Sequence, residues 1–283
     1  MIKCKILNKD FETKQEMFLA LKENKDLLIA EKKSKIYKSY EDKKDVIKYR
    51  PFTASKIQDE NVKELFTDDN YFYIAVNSTK ILDSHDDLHV DGLWTKSTQE
   101  RQKKNYLLVD HEMKVLSTVV KKEYVEMFTA SIPFSLLGKS YAGYTEVLFY
   151  KVPKDKVLIQ EVKDWLESGD EIQASVRMKY IQISLALNSD DKEDIRERET
   201  YDEYYPLIAN KEDFEEIEYF FVVKEAANVM ESSLVLFGSN STTGVINENT
   251  KIEPSKDTQT ENKQDTQKEV EPSIPNNDYL KFI

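Results

Sequence analysis

Cysteine is almost absent from this chain. Cys4 is the single one among 283 residues, which excludes an intrachain disulfide and fits a reducing compartment. Long hydrophobic runs are absent too. The opening residues, MIKCKILNKDFETK, hold no apolar stretch of signal-peptide length. Nowhere does the sequence approach the roughly 20 apolar residues that a spanning helix needs. Positive charge is in deficit: 41 Lys and Arg stand against 53 Asp and Glu, a net charge of −12. That balance argues against nucleic acid as the main partner, because phosphate binding needs a basic face. Together these absences lead to the expectation of a soluble cytoplasmic protein with neither a membrane nor a nucleic-acid partner. What the chain does hold, 40% hydrophobic residues including sixteen Tyr, is enough for a core.

The most informative stretch is residues 169–187, GDEIQASVRMKYIQISLAL. After a turn at Ser168-Gly169-Asp170, apolar residues fall on every second position: Ile172, Ala174, Val176, Met178 and Tyr180. A period of two marks a strand with one buried face. Gln173, Ser175, Arg177 and Lys179 occupy the other face. Beyond Tyr180 the apolar set shifts to Ile181, Ile183, Leu185 and Leu187, and a slip of one residue requires a bulge or bend. The run far exceeds the usual strand of about 5–6 residues, so a bent strand crossing between two faces of a barrel is expected. Ser175, near its middle, reads either as an ordinary strand residue or as a nucleophile.

The rest of the chain alternates strands and helices. Residues 1–7 suit a short strand. Thr13-Lys14-Gln15-Glu16 has the pattern of a capping box, followed by a helix with Met17, Phe18, Leu21 and Leu27-Leu28 on one side. Residues 31–48 read as a solvated connector or exposed helix, and the lysines at 32, 33 and 35 as a solvated face. Strands are expected at residues 71–76, 106–109, 115–132 (one or two), 145–152, 218–223 and 230–237. Residues 157–168 have helical spacing with Gly169 at the C-terminal cap position. Residues 189–201 read as an exposed charged loop, and residues 202–210 as a short helix. From Gly238 to about residue 276 polar residues dominate, with too few apolar ones to offset the entropy of ordering. The last six, DYLKFI, read as a docking peptide or a frayed end.

Residues 83–94, DSHDDLHVDGLW, favour turns. His85 and His89 are four apart, a spacing that would bind zinc on a helix with a nearby carboxylate. The segment lacks helical periodicity and any HExxH pattern, so loop hydrogen bonding is the preferred reading and no metal or cofactor is expected. His111 ends the strand of residues 106–109. Asp110, its neighbour, points to the opposite face and is not expected to orient its ring.

Four segments in order, DSHDDLHVDGLW (83–94), YLLVDHEM (106–113), GDEIQASVRMKY (169–180) and MESSLVLFGSN (230–240), resemble the prohead proteases of tailed bacteriophages. These capsid-maturation serine peptidases are related in fold to the herpesvirus assemblins. The chain departs from the family's pattern in having Val176-Arg177 where Ile-Gly often follows the Ser, and in carrying the charged insertion at residues 190–198. The resemblance implies an α+β fold with a mainly antiparallel β-barrel core flanked by helices. It implies a protease domain over residues 1–240, of which 1–50 form an N-terminal strand and helix region. Residues 241–283 would be a disordered acidic tail with a short apolar end. It further implies Ser175 as nucleophile, His111 as general base and Glu231 as third member, with Arg177 as an oxyanion or substrate contact. The implied substrates are scaffold and major capsid protein, and the chain itself, inside an assembling procapsid in the host cytoplasm. The alternative is a catalytically inactive structural or scaffolding component with the same fold.

Overall fold

The computed structural model describes residues 1–37, 63–169 and 172–236, and the backbone of Gly244–Ile246. Contacts gather Met1–Lys251 into one compact unit, and Ile252–Ile283 form a second that lies outside the described residues. Outside them too lie residues 38–48 of the charged connector, Asp170, and most of the polar tail with its apolar end.

Strands β1 (Ile2–Cys4) and β2 (Lys9–Phe11) form an antiparallel hairpin. Helix α1 (Lys14–Glu23) starts where the capping pattern placed it. Thr13 Oγ1 accepts from the Glu16 N–H at 3.2 Å, while the Glu16 carboxylate reaches back to the N–H of Glu12 rather than of Thr13. Met17, Phe18 and Leu21 face the core. A break at Asn24 starts a second helix, α2 (Lys25–Ser34), in which Leu28 and also Lys32 are buried.

The main sheet is organised by its longest strand. Strands β3 (Tyr71–Ser78), β4 (Asp87–His89), helix α3 (Thr95–Glu100), β5 (Tyr106–Val109), β6 (Thr118–Val120), β7 (Glu126–Pro133) and β8 (Tyr144–Pro153) come first. Helix α4 (Gln160–Ser168) follows and ends on Gly169 in a left-handed conformation at φ 74°, as its sequence anticipated. Then come β9 (Gln173–Leu187), α5 (Ile195–Tyr204), β10 (Tyr219–Val235) and β11 (Gly244–Ile246). β9 pairs antiparallel with β10 along almost its whole length. On the opposite edge β10 carries β4 at Phe221–Val223 and β5 at residues 231–234, both parallel, and β6 then pairs with β5. A second sheet runs β11-β3-β8-β7, all antiparallel. Its inner residues Ile74, Val76, Leu148, Tyr150 and Met127 share one core with Val176, Tyr180, Leu185, Phe221 and Leu234 of the main sheet. β11 lies within the stretch whose composition reads as tail.

The fold is therefore mixed α+β, but the expected closed barrel is not formed. The two sheets pack against each other through this shared core, and among the described residues no strand of one pairs with a strand of the other. Among the described residues, β9 is bridged on its outer edge only by Tyr37, whose N–H and C=O both pair with Met178. Closure would need a continuous ladder at that edge. The expected phase slip is present as a pair of register shifts: one residue extra on β10 at Lys224, one extra on β9 at Ile181. Ile181 consequently turns outward while Ile183, Leu185 and Leu187 return to the core.

Two further readings are corrected. The charged stretch around residue 195 is helical (α5), because its buried Asp194 and Glu197 are neutralised by Lys22 and Lys25 of the first two helices and Tyr201 enters a core cluster. The strands expected at residues 218–223 and 230–237 are one continuous β10, since Ala226 and Asn228 between them are buried and paired with β9.

Candidate active site

Near its C-terminal end β10 widens. Between the pairs Asn228–Met178 and Ser232–Val176, three residues of β10, Val229, Met230 and Glu231, stand opposite the single Arg177 of β9. Met230 takes up the surplus in a left-handed conformation at φ 71°, which costs a side-chain-bearing residue about 1–2 kcal/mol. The bulge is held from beneath by Asn228, fully buried. Its amide nitrogen donates to the carbonyls of Glu231 (3.0 Å) and Arg177 (3.2 Å), and its Oδ1 accepts from the Tyr150 hydroxyl (2.5 Å) and from the Asn105 amide. Burial pushes the Tyr150 hydroxyl well above its usual pKa, so it remains a proton donor.

The bulge delivers Glu231, also fully buried, behind an imidazole. β5 ends at Val109, and Asp110 and His111 follow with φ 52° and 54°, a tight left-handed turn. The Asp110 N–H donates to the Leu234 carbonyl of β10, and the Glu112 N–H closes the turn onto the Val109 carbonyl, each at 3.0 Å. The turn aims His111 across the end of the sheet. His111 Nδ1 lies 2.8 Å from Glu231 Oε1, and His111 Nε2 lies 2.6 Å from Ser175 Oγ. A carboxylate only accepts, so Nδ1 carries the proton and donates to Glu231, leaving Nε2 to accept from the Ser175 hydroxyl. Ser175 is 2% exposed and His111 8%.

The structure thus brings together the three residues singled out by sequence, across separations of 64 and 120 positions. Asp110 takes no part in orienting the ring. Arg177, two residues along β9 from Ser175, lies against the Sδ atoms of Met113 and Met230. Its Nε is buried with no hydrogen-bond partner, and among the described residues it makes no ion pair. Sequence reasoning did not single out Ser233. Its Oγ accepts from the His111 backbone N–H at 3.0 Å and donates to Glu231 Oε2 at 2.8 Å. The only signal for it was its position two residues after Glu231, on the same face of a strand. Asn228 had no such signal, because its role depends on a bulge.

His85 and His89 do not form a site. The Trp94 indole N–H, which can only donate, bonds Asn77 Oδ1 at 2.9 Å and so turns the Asn77 amide toward His89 Nδ1 (3.2 Å). His89 Nε2 then faces the Tyr180 hydroxyl at 3.2 Å, leaving no ring nitrogen for a metal. Burial holds the His89 pKa below its usual value. His85 is half-exposed beside Asp83. Among the described residues no group of three or more His, Cys, Asp or Glu could hold a metal ion, and no helix is long and apolar enough to cross a membrane.

Compared with family models, curated proteins and solved structures, the chain matches none.

Proposed function

We propose that this chain is a serine endopeptidase of the prohead-protease type, cleaving scaffold and major capsid protein, and itself, inside an assembling procapsid. One observation carries the peptidase reading: the unbroken hydrogen-bond chain from Ser175 through His111 to Glu231. Serine at its free pKa is a poor nucleophile and needs a base in contact. Here His111 Nε2 removes the Ser175 proton as Oγ attacks a peptide carbonyl. The acyl-enzyme forms when the imidazolium returns that proton to the leaving amine, and water repeats the sequence to release the acid. Glu231 holds the ring in the required tautomer and stabilises the imidazolium. The viral assembly context rests on the four sequence segments alone.

The test is labelling with a fluorophosphonate and mapping of the modified residue by mass spectrometry. Ser175 should carry the label, and Ser175→Ala should neither label nor cleave co-expressed scaffold. Label on another serine, or cleavage by Ser175→Ala, refutes the assignment. The second reading, an inactive structural or scaffolding component, is favoured by the small exposure of Ser175 and His111. It predicts no labelling of the folded wild-type chain.

Arg177 is assigned as an oxyanion or substrate contact, on the grounds that among the described residues its charge has no carboxylate partner. Charged hydrogen bonds contribute about 1.5–3 kcal/mol, so Arg177→Ala should slow scaffold cleavage at least about tenfold. A parallel fall in labelling rate marks an oxyanion role, and unchanged labelling marks a substrate contact. Cleavage at the wild-type rate removes Arg177 from the site.

A further inference from the structure

We infer that Ser233 is a positioning residue of this site, fixing which oxygen Glu231 presents to His111 and pinning the backbone turn that carries the imidazole. The reaction it would serve rests on the peptidase reading, but its geometry stands independently. The Ser233 hydroxyl has one proton. The His111 backbone N–H can only donate to it, so that proton is free for an acceptor, and Glu231 Oε2 lies 2.8 Å away. The carboxylate is thereby divided: Oε2 is satisfied by Ser233, and Oε1 is left for His111 Nδ1. Ser233 and Glu231 are both fully buried, so water does not compete for these bonds.

Register gives the same residue a second task. Ser233 is the ladder partner of Ser175 on β9 and of Leu108 on β5. It therefore stands between the strand of the nucleophile and the strand that ends in the base. Its bond to the His111 N–H clamps a residue in a left-handed conformation that a β-carbon disfavours. Loss of the hydroxyl would orphan both that N–H and Glu231 Oε2. The freed carboxylate would no longer be held with Oε1 toward His111 Nδ1.

The chain has three histidines, so the His111 ring can be followed by the NMR signal of its Nδ1 proton as well as through labelling kinetics. Ser233→Ala should shift or broaden that signal, as the bond to Glu231 Oε1 is no longer fixed, and slow fluorophosphonate labelling about tenfold or more. Ser233→Thr, which keeps the hydroxyl, should restore both toward wild type. If Ser233→Ala does not fold, Ser233→Cys, similar in size with a weak donor, carries the same comparison. A folded Ser233→Ala whose His111 ring signal and labelling rate match wild type overturns the inference. A wild-type chain that never labels, but whose His111 ring signal moves with Ser233, sinks the peptidase reading and leaves this one standing.

Discussion

Glu231→Gln, which replaces a single oxygen by NH₂, is expected to slow labelling of Ser175 by a factor on the order of 10⁴. The argument is one of proton direction. The Ser233 hydroxyl proton needs an acceptor, and the His111 N–H on its other side can only donate. It will therefore hold the glutamine with its oxygen at the Oε2 position. The NH₂ then faces His111 Nδ1 and forces that nitrogen to accept. The ring proton moves to Nε2, the atom that must take the proton of Ser175. The side chain keeps its volume and the fold its core, yet the base is presented in the wrong tautomer. A Gln variant that labels within about tenfold of wild type, with unchanged near-UV circular dichroism, would show that Glu231 does not set the tautomer of His111.

The second large effect is on stability rather than chemistry. At the opposite end of β10, Lys32 of α2 is buried with its ammonium 2.5 Å from Asp87 Oδ1 and over the ring of Phe221. The Tyr180 hydroxyl donates to Asp87 Oδ2 at 2.9 Å. Burial nevertheless pushes the Asp87 carboxyl up to about 7, with the charge of nearby Asp83 adding to the effect and Lys32 opposing it. A carboxyl that binds its proton more tightly folded than unfolded stabilises the fold in acid, and that contribution is lost as pH rises toward its folded pKa. Between pH 5 and pH 8, Asp87 should cost the native state about 3 kcal/mol. Asp87→Asn should flatten this dependence in denaturant titrations, and above pH 7, where Asp87 is ionised, it leaves Lys32 without its counter-charge. A wild-type chain with the same pH slope as Asp87→Asn would show that Asp87 ionises normally.

Much of this could be read before any coordinates. Period-two patterning located the core strands, and the shift of phase after Tyr180 announced the bulge at Ile181 but not its counterpart at Lys224 on the partner strand. The glycine cap and the first helix were local signals that tertiary structure left intact. His111, Ser175 and Glu231 stood out together only through the order of four segments, since no spacing rule links residues 111, 175 and 231. What stayed hidden depends on contacts between distant segments. Lys32 looked like one of several solvated lysines, and only Asp87, 55 positions away, makes it a core residue. The helix at Ile195–Tyr204 was masked by its charges, which are neutralised by Lys22 and Lys25. The barrel failed because pairing at the β9 edge is a matter of neighbours rather than of pattern. The two surplus residues opposite Arg177 produce no change of phase, since an even insertion preserves alternation.

The place of β10 between β9 and β5 also sets an order of events during synthesis. Ser175 sits on β9 and His111 in the turn that follows β5, two strands that do not pair with each other; each pairs with β10. A ribosome that has released the chain only as far as β9 has made Ser175 and His111 but has given them no common frame. Glu231, Ser233 and the ladder that sets their spacing all arrive with the last long strand. Chains cut short before residue 231 would lack Glu231 and the stretch of β10 that joins β5 to β9, so on the proposed reading an incompletely made molecule would carry a serine without the means to activate it.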